Sequence, residues 1–165
     1  MSLGAAQRRR AAVGAALAAC AVAALGALAT DLGPWYQSLR QPAWKPPDVL
    51  FGPAWTIIFA LCALAGLEAL RHAPDRAARC RIVALFGVNG TLNVLWSLLF
   101  FRVQRPDWAL AEVGLLWASI LLLIVVLRRH SARAGWLLLP YLVWVAFAAA
   151  LNLAVVQLNG PFGAG

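Results

Sequence analysis

Of 165 residues, 63% are hydrophobic and 12% charged, against about 45–50% and about 25% in ordinary soluble domains. With a mean hydropathy of +0.78, this composition excludes a soluble enzyme and a disordered tail. The net charge of +8 would suggest nucleic acid in a soluble chain, but the basic residues sit in short links between apolar runs, with no basic face interleaved with aromatics, so no nucleic-acid partner is expected.

Five apolar runs predict an all-α integral membrane bundle of five transmembrane helices forming a single domain, residues 1–165. The first span covers residues 11–29, after Arg8, Arg9 and Arg10. A basic start and small residues at Ala27 and Ala29 also fit a cleaved signal, but the apolar stretch exceeds the usual ~7–15 residues, which favours a retained span. Residues 31–52 change to Trp, Pro and polar residues. Pro42, Pro46 and Pro47 fix φ and disfavour helix in the residues before them, so this loop is expected to be stiff, a lid more than a tether.

The second span is expected at 53–70, opening on Pro53, and residues 71–81 read as a basic link turned by Pro74 and Asp75. Spans follow at 82–101, at 107–127 with Asp107 as N-cap, and at 135–158. The N-terminal side carries ten Arg: Arg8, Arg9, Arg10, Arg71, Arg76, Arg79, Arg81, Arg128, Arg129 and Arg133. The other side carries four basic residues: Arg40, Lys45, Arg102 and Arg105. In a plasma-type membrane this puts the N-terminus in the cytoplasm and the Trp/Pro loop outside; an outer-membrane location would void the count.

Conventional chemistry has no seat here. His72 and His130 fall in links, so no bis-His haem or other metal site is expected, and Glu68 and Glu112 read as lying near span ends. Glu68, with Arg71 and His72 one turn on, reads as an interfacial ion pair. Cys20, Cys62 and Cys80 have no paired spacing and read as small core residues.

The third span has two distinct faces at 100° per residue. Asn89, Asn93, Trp96 and Phe100 share a narrow wedge that must point into the bundle, because an unpartnered amide is costly in hydrocarbon. Ala84, Gly87 and Thr91 lie opposite, a small face suited to a dimer seam. In the last span Tyr141, Trp144, Ala148, Asn152, Val155 and Asn159 share one interior face. Trp108 and Trp136 read as interfacial anchors and Trp117 as facing lipid or a second copy. Trp55, Trp96 and Trp144 could equally be core packing or the flat walls of a pocket for a large planar apolar ligand.

The segment WYQSLRQPAWKPPDVLFGPAWT (Trp35 to Thr56), with LNVLWSLLFF (Leu92 to Phe101) and PYLVWVAFAAALN (Pro140 to Asn152), resembles the TspO/MBR family of tryptophan-rich sensory and translocator proteins, also known as peripheral-type benzodiazepine receptors. The resemblance spans nearly the whole chain from Trp35. It implies a five-helix bundle, usually a homodimer, that binds porphyrins such as protoporphyrin IX or haem-like tetrapyrroles as ligands, with no required cofactor. Some members also bind sterols and benzodiazepine-type ligands. The positions it implies for the pocket are Trp35, Trp44, Trp55, Asn93, Trp96, Trp144, Ala148 and Asn152. Asn89 and Tyr141 join them from the face analysis, and Arg40 or Lys45 would meet the propionates. Animal members carry a tyrosine and then a basic residue near the end of the last span. Here Leu153 and Gln157 stand there, with no Lys or Arg after Arg133, so sterol recognition by that route is not expected. The glycine pair of some members' third helix is replaced by Ala84 and Val88, which leaves dimer geometry open.

The leading expectation is a membrane porphyrin receptor or carrier for tetrapyrrole handling or stress signalling, without catalytic residues. One rival is light-dependent oxidative breakdown of bound porphyrin, which needs no conventional catalytic site. The other is a passive pore or structural subunit.

Overall fold

The computed structural model describes residues 5–162, which are helical or irregular throughout, with no strand among them. Helix α1 is Ala5–Ala29, α2 is the short Pro34–Ser38, α3 is Phe51–His72, α4 is Arg76–Ser97, α5 is Pro106–Arg128, α6 is Ala132–Leu137 and α7 is Leu139–Asn159. Residues 48–72, 76–102, 106–128 and 132–159 are each long and apolar enough to cross a membrane, and Val13–Ala29 is a shorter apolar helix beside them. The protein is a multi-pass, five-helix membrane bundle.

Local chemistry sets the ends, several of which differ from the sequence expectation. The third span begins at Arg76, not at residue 82, because the Asp75 carboxylate caps it, accepting from the Ala78 N–H at 2.7 Å. Arg76, Arg79 and Arg81 therefore ride on helix, and the link shrinks to residues 73–75. Helix α3 begins two residues before Pro53, which is tolerated there because first-turn N–H groups have no helical partner. The fourth span opens on Pro106, with Arg105 in the cap position. Asp107 is not the cap; it lies in the first turn, paired with Arg105. The third span closes on a wide π-turn, Leu98–Arg102, and Gln104 turns the chain at φ 56°. The last span is not continuous: it breaks at Leu138, where Pro140 has no N–H to donate back into the preceding turn.

Around the bundle the order is α1, α3, α6 with α7, α5, α4 and back to α1. Helix α1 packs on α3 and α4. Helix α3 meets the last span chiefly through α6, so beyond the Leu138 break the two helices part towards the loop side. A core of Ile82, Val113, Leu116, Ile120, Leu123, Leu138 and Val145 packs between α4, α5 and the last span, while Val83, Val88, Leu115, Leu121, Leu122 and Val143 face outward, as lipid contact requires. Trp108 and Trp136 are exposed near span ends. Ala84, Gly87 and Thr91 lie on the exposed side of α4, with the Thr91 hydroxyl returned to the Gly87 carbonyl.

Asp75→Ala removes the cap of the third span. It is expected to cost about 1 kcal/mol, read as a lowered midpoint of thermal unfolding in detergent.

Candidate functional site

The parting of α3 and α7 leaves a cavity of about 890 Å³, within the size range of small-molecule sites. Aromatic rings form two of its walls. On one, Trp55 stacks on Phe59 (5.4 Å between centroids) and meets Trp144 edge-on at 6.4 Å, while Phe51 meets Trp144 at 5.6 Å. On the other, Trp96 stacks on Phe100 at 5.2 Å and Phe101 crosses Trp96 edge-on at 6.1 Å. Each such pair contributes ~0.5–1.5 kcal/mol beyond area burial, enough to hold the rings in place. Helix α1 supplies small residues instead, Ala16, Ala19, Ala23, Gly26 and Ala27, which leave the volume open. Ala148 and Asn152 of α7 complete the lining.

The polar groups are fewer and are ordered. Asn93 Nδ2 donates to the Tyr141 hydroxyl at 3.2 Å, which donates to Asn89 Oδ1 at 3.2 Å. Asn89 Nδ2 donates to Ser119 Oγ at 2.8 Å, and Ser119 donates to the Leu116 carbonyl at 2.7 Å. This relay links α4 to α7 and to α5 and gives each member a partner inside a low-dielectric interior. It ends at the cavity, where Asn93 Oδ1 accepts no hydrogen bond from any described residue. Asn152, 1% exposed, ties α7 to the first turn of α5: with its amide nitrogen towards Pro106 it donates to that carbonyl at 3.2 Å, and its oxygen accepts from the Leu110 N–H at 2.9 Å. Gln41 Nε2 and Trp96 Nε1 are buried donors on the lining residues, without partners among the described residues.

The Trp/Pro loop covers the loop-side mouth and is held at two places. Asn159 grips the backbone of Arg40, accepting its N–H at 2.7 Å and donating to its carbonyl at 2.9 Å. The Asp48 carboxylate accepts from the Tyr36 hydroxyl at 2.8 Å and from the Lys45 ammonium, which also lies over the Tyr36 ring. Burial works against the Lys45 charge, but the hydrogen bonds with Asp48 and Tyr36 outweigh it and hold the ammonium above the ordinary lysine range. Burial is also the main reason that the Tyr36 phenol is raised.

Of the ten residues expected to line a pocket, the structure brings Trp55, Asn93, Trp96, Trp144, Ala148 and Asn152 to this cavity. Asn89 and Tyr141 stand behind it, at a second space of about 780 Å³ between α1, α3 and α4 that shares Asn93. Trp35 and Trp44 do not line either space. Trp35 packs edge-on against Phe100 at 6.1 Å, and the half-exposed Trp44 sits edge-on to Phe147 at 5.9 Å; both brace the lid from outside. Lys45 is committed to Asp48, which leaves Arg40 as the exposed loop cation.

Sequence reasoning missed Asp48, Asn159 as a grip on Arg40, and Ser119. It placed Glu112 near the start of the fourth span, about where it stands in α5, but did not foresee that it is only 5% exposed. Its place on the same helical face as Leu116 and Ser119 was the available signal. Glu68 is half-buried, facing His72 at 3.7 Å and accepting from Ser131 at 3.3 Å.

Two outcomes follow for the lid. In Asn159→Ala, the Arg40 amide is expected to exchange its hydrogen at least ~tenfold faster, since two bonds of ~0.5–1.5 kcal/mol each are lost; unchanged exchange would show that the grip does not hold the loop. Because the folded Lys45 pKa is raised, the clasp's stabilisation is complete below the unfolded lysine value, ~10.4, and is lost as pH rises through the folded one. Near-UV circular dichroism from Tyr36 and Trp35 should therefore change at strongly alkaline pH, at a lower alkaline pH in Asp48→Asn, and again in acid, as pH falls through the lowered Asp48 value.

Residues 13–158 match the TspO/MBR family. The chain is 40% identical over 125 residues to the tryptophan-rich protein TspO of Chlorobaculum tepidum, covering 76% of this chain and 79% of that protein. It is 31% identical over 141 residues to protein CrtK of Rhodobacter capsulatus, covering 86% and 88%. It is 29% identical over 126 residues to the translocator protein of Ovis aries, covering 76% and 75%. An aromatic-walled cavity inside five membrane helices, reached by a chain that matches over almost its full length, thus has a family: this protein belongs to the TspO/MBR family of membrane proteins.

Proposed function

We propose that the protein is a membrane receptor or carrier that binds a porphyrin or related tetrapyrrole in the cavity under the Trp/Pro lid, and acts in tetrapyrrole handling or stress signalling. The observation that carries this reading is the convergence of Trp55, Trp96 and Trp144, from three different helices, on one cavity large enough to hold a planar ligand. Indole faces give a macrocycle broad apolar contact at little conformational cost. Asn93 Oδ1 supplies a fixed acceptor at its edge, held by the relay through Tyr141 and Asn89. The ligand's carboxylates lie at the mouth, where Arg40 is the available cation. Burial of such a ligand requires the lid to move, so the grip on Arg40 sets part of the barrier to exchange. Two copies pair through the small face of α4 at Ala84, Gly87 and Thr91, where close backbone approach costs no side chain.

The test is quenching of tryptophan fluorescence by protoporphyrin IX in the dark, on protein in detergent. Saturable micromolar binding that weakens by about tenfold or more in Trp144→Ala is expected, as for loss of one stacking wall worth ~1.4 kcal/mol. Non-saturable quenching, the same in both proteins, would mean partition into the micelle and would end this reading.

A further inference from the structure

The second space, of about 780 Å³ between α1, α3 and α4, is apolar along most of its length. Four of its lining residues, Leu25, Val83, Leu95 and Leu98, are each at least 38% exposed, so it is a groove open to the side of the bundle that faces hydrocarbon. Small residues keep it open. Helix α1 meets α4 where Gly90 lets Val22 approach, since a Cβ at residue 90 would come within 2.9 Å of Val22 Cγ2. On the link side of that crossing, towards residues 73–75, α1 lines the groove with Gly14, Ala15, Ala18 and Ala19 alone. The lined stretch of α4, from Val83 to Leu98, rises ~22 Å, more than the half-thickness of a hydrocarbon core of ~30 Å.

Arginines stand at the link end of this groove. Val83, Phe86 and Gly90 line it from α4 at steps of three and four residues, and the same stripe continues back through Arg79 to Arg76. Arg71 follows Leu70, the last residue with which α3 lines the groove. Arg71 and Arg76 are exposed, and Arg79 is half-buried, with its Nε lacking a partner among the described residues. None of the three is in an ion pair among those residues. The carboxylates on this side are engaged elsewhere, Glu68 with His72 and Ser131 and Asp75 with the Ala78 N–H. An arginine whose stem lies along apolar surface carries its head to the interface, where its fork can meet a phosphate bidentately.

We propose that the groove between α1, α3 and α4 binds an anionic phospholipid, with an acyl chain along Val83, Phe86 and Gly90 and the phosphate held by Arg76 and Arg79, Arg71 standing beside them. The groove and the cations at its end specify this occupant together. An uncharged apolar molecule leaves the arginines unanswered, and a free phosphate leaves the groove unfilled. A zwitterionic headgroup brings its own ammonium towards three unpaired guanidinium groups, whereas an anionic one balances them. The site does not depend on the tetrapyrrole reading. It shares Ala19, Phe59, Ala63 and Asn93 with the aromatic cavity, so a seated lipid chain lies against the wall between the two spaces.

The experiment titrates the detergent-purified protein with phosphatidylglycerol and with phosphatidylcholine of the same chains, read by native mass spectrometry. The parent is expected to bind phosphatidylglycerol about tenfold or more tightly than phosphatidylcholine. Arg79→Gln and Arg76→Gln should each lower that preference about fivefold, the ~1 kcal/mol of one arginine at an anionic surface. Arg133→Gln, which removes the same charge from the exposed start of α6, should leave it unchanged. Ala18→Trp, which fills the groove, should weaken both lipids. Should Arg79→Gln fail to fold, the exposed Arg76 decides the outcome. Equal affinity of the parent for the two lipids overturns the site, as does a loss in Arg133→Gln as large as in Arg76→Gln, which would mean diffuse surface charge. Displacement by inorganic phosphate, or binding untouched by Ala18→Trp, would show that no chain sits in the groove. Lipid carried by monomers and absent from dimers would show that a second copy covers it, since Gly87 and Thr91 lie on its rim.

Discussion

A span in hydrocarbon has no water with which to satisfy its polar groups, so each must find a partner inside the bundle or be kept for a ligand. That constraint organises this protein. Asn93, Tyr141, Asn89 and Ser119 donate in one direction along a relay from the cavity wall to the Leu116 carbonyl, and Asn152 ties α7 to the opening turn of α5. These contacts set the rotation and register of α4, α5 and α7, which apolar packing against lipid-like side chains specifies poorly, since lipid tails are as apolar as leucine. With the three helices fixed, the buried polar atoms left without a partner among the described residues are few, on Gln41, Arg79, Trp96 and Glu112.

The cavity follows from two local features. Pro140 interrupts the last span, so α6 remains against α3 while α7 leans away from it. Helix α1 faces the resulting space with alanines and glycine that cannot fill it. Only large rings are long enough to line what remains, which is why Trp55, Trp144, Trp96 and Phe100 form its walls. A bundle of five continuous spans with leucine at these positions would close.

The lid uses a different physics from the bundle it covers. It lies where water returns, so charge becomes affordable, and the clasp of Tyr36, Lys45 and Asp48 is built from groups that the spans avoid. Its second hold, by Asn159, meets backbone instead of side chain. Backbone recognition leaves the Arg40 side chain free at the surface. Trp35 and Trp44 press the same loop onto Phe100 and Phe147, so two of the eight tryptophans act on the cavity through the lid.

The sequence by itself determined the membrane class, the five spans, the stiff loop and the interior faces of the third and last spans, because each rests on local periodicity, proline geometry or the cost of a polar group in hydrocarbon. It also yielded most of the cavity wall, since Trp55, Asn93, Trp96, Trp144, Ala148 and Asn152 lie on those faces. The helix ends were less legible: Asp75 as a cap and the break at Leu138 depend on competition among neighbouring carbonyls that hydropathy does not register. Tertiary structure alone decided that Trp35 and Trp44 brace the lid instead of lining the cavity, that Asn159 meets Arg40 at a separation of 119 residues, and that Glu112 is buried in the bundle. Each of those depends on which helix stands opposite at a given depth, and a single chain's periodicity specifies a face but not the neighbour that the face will meet.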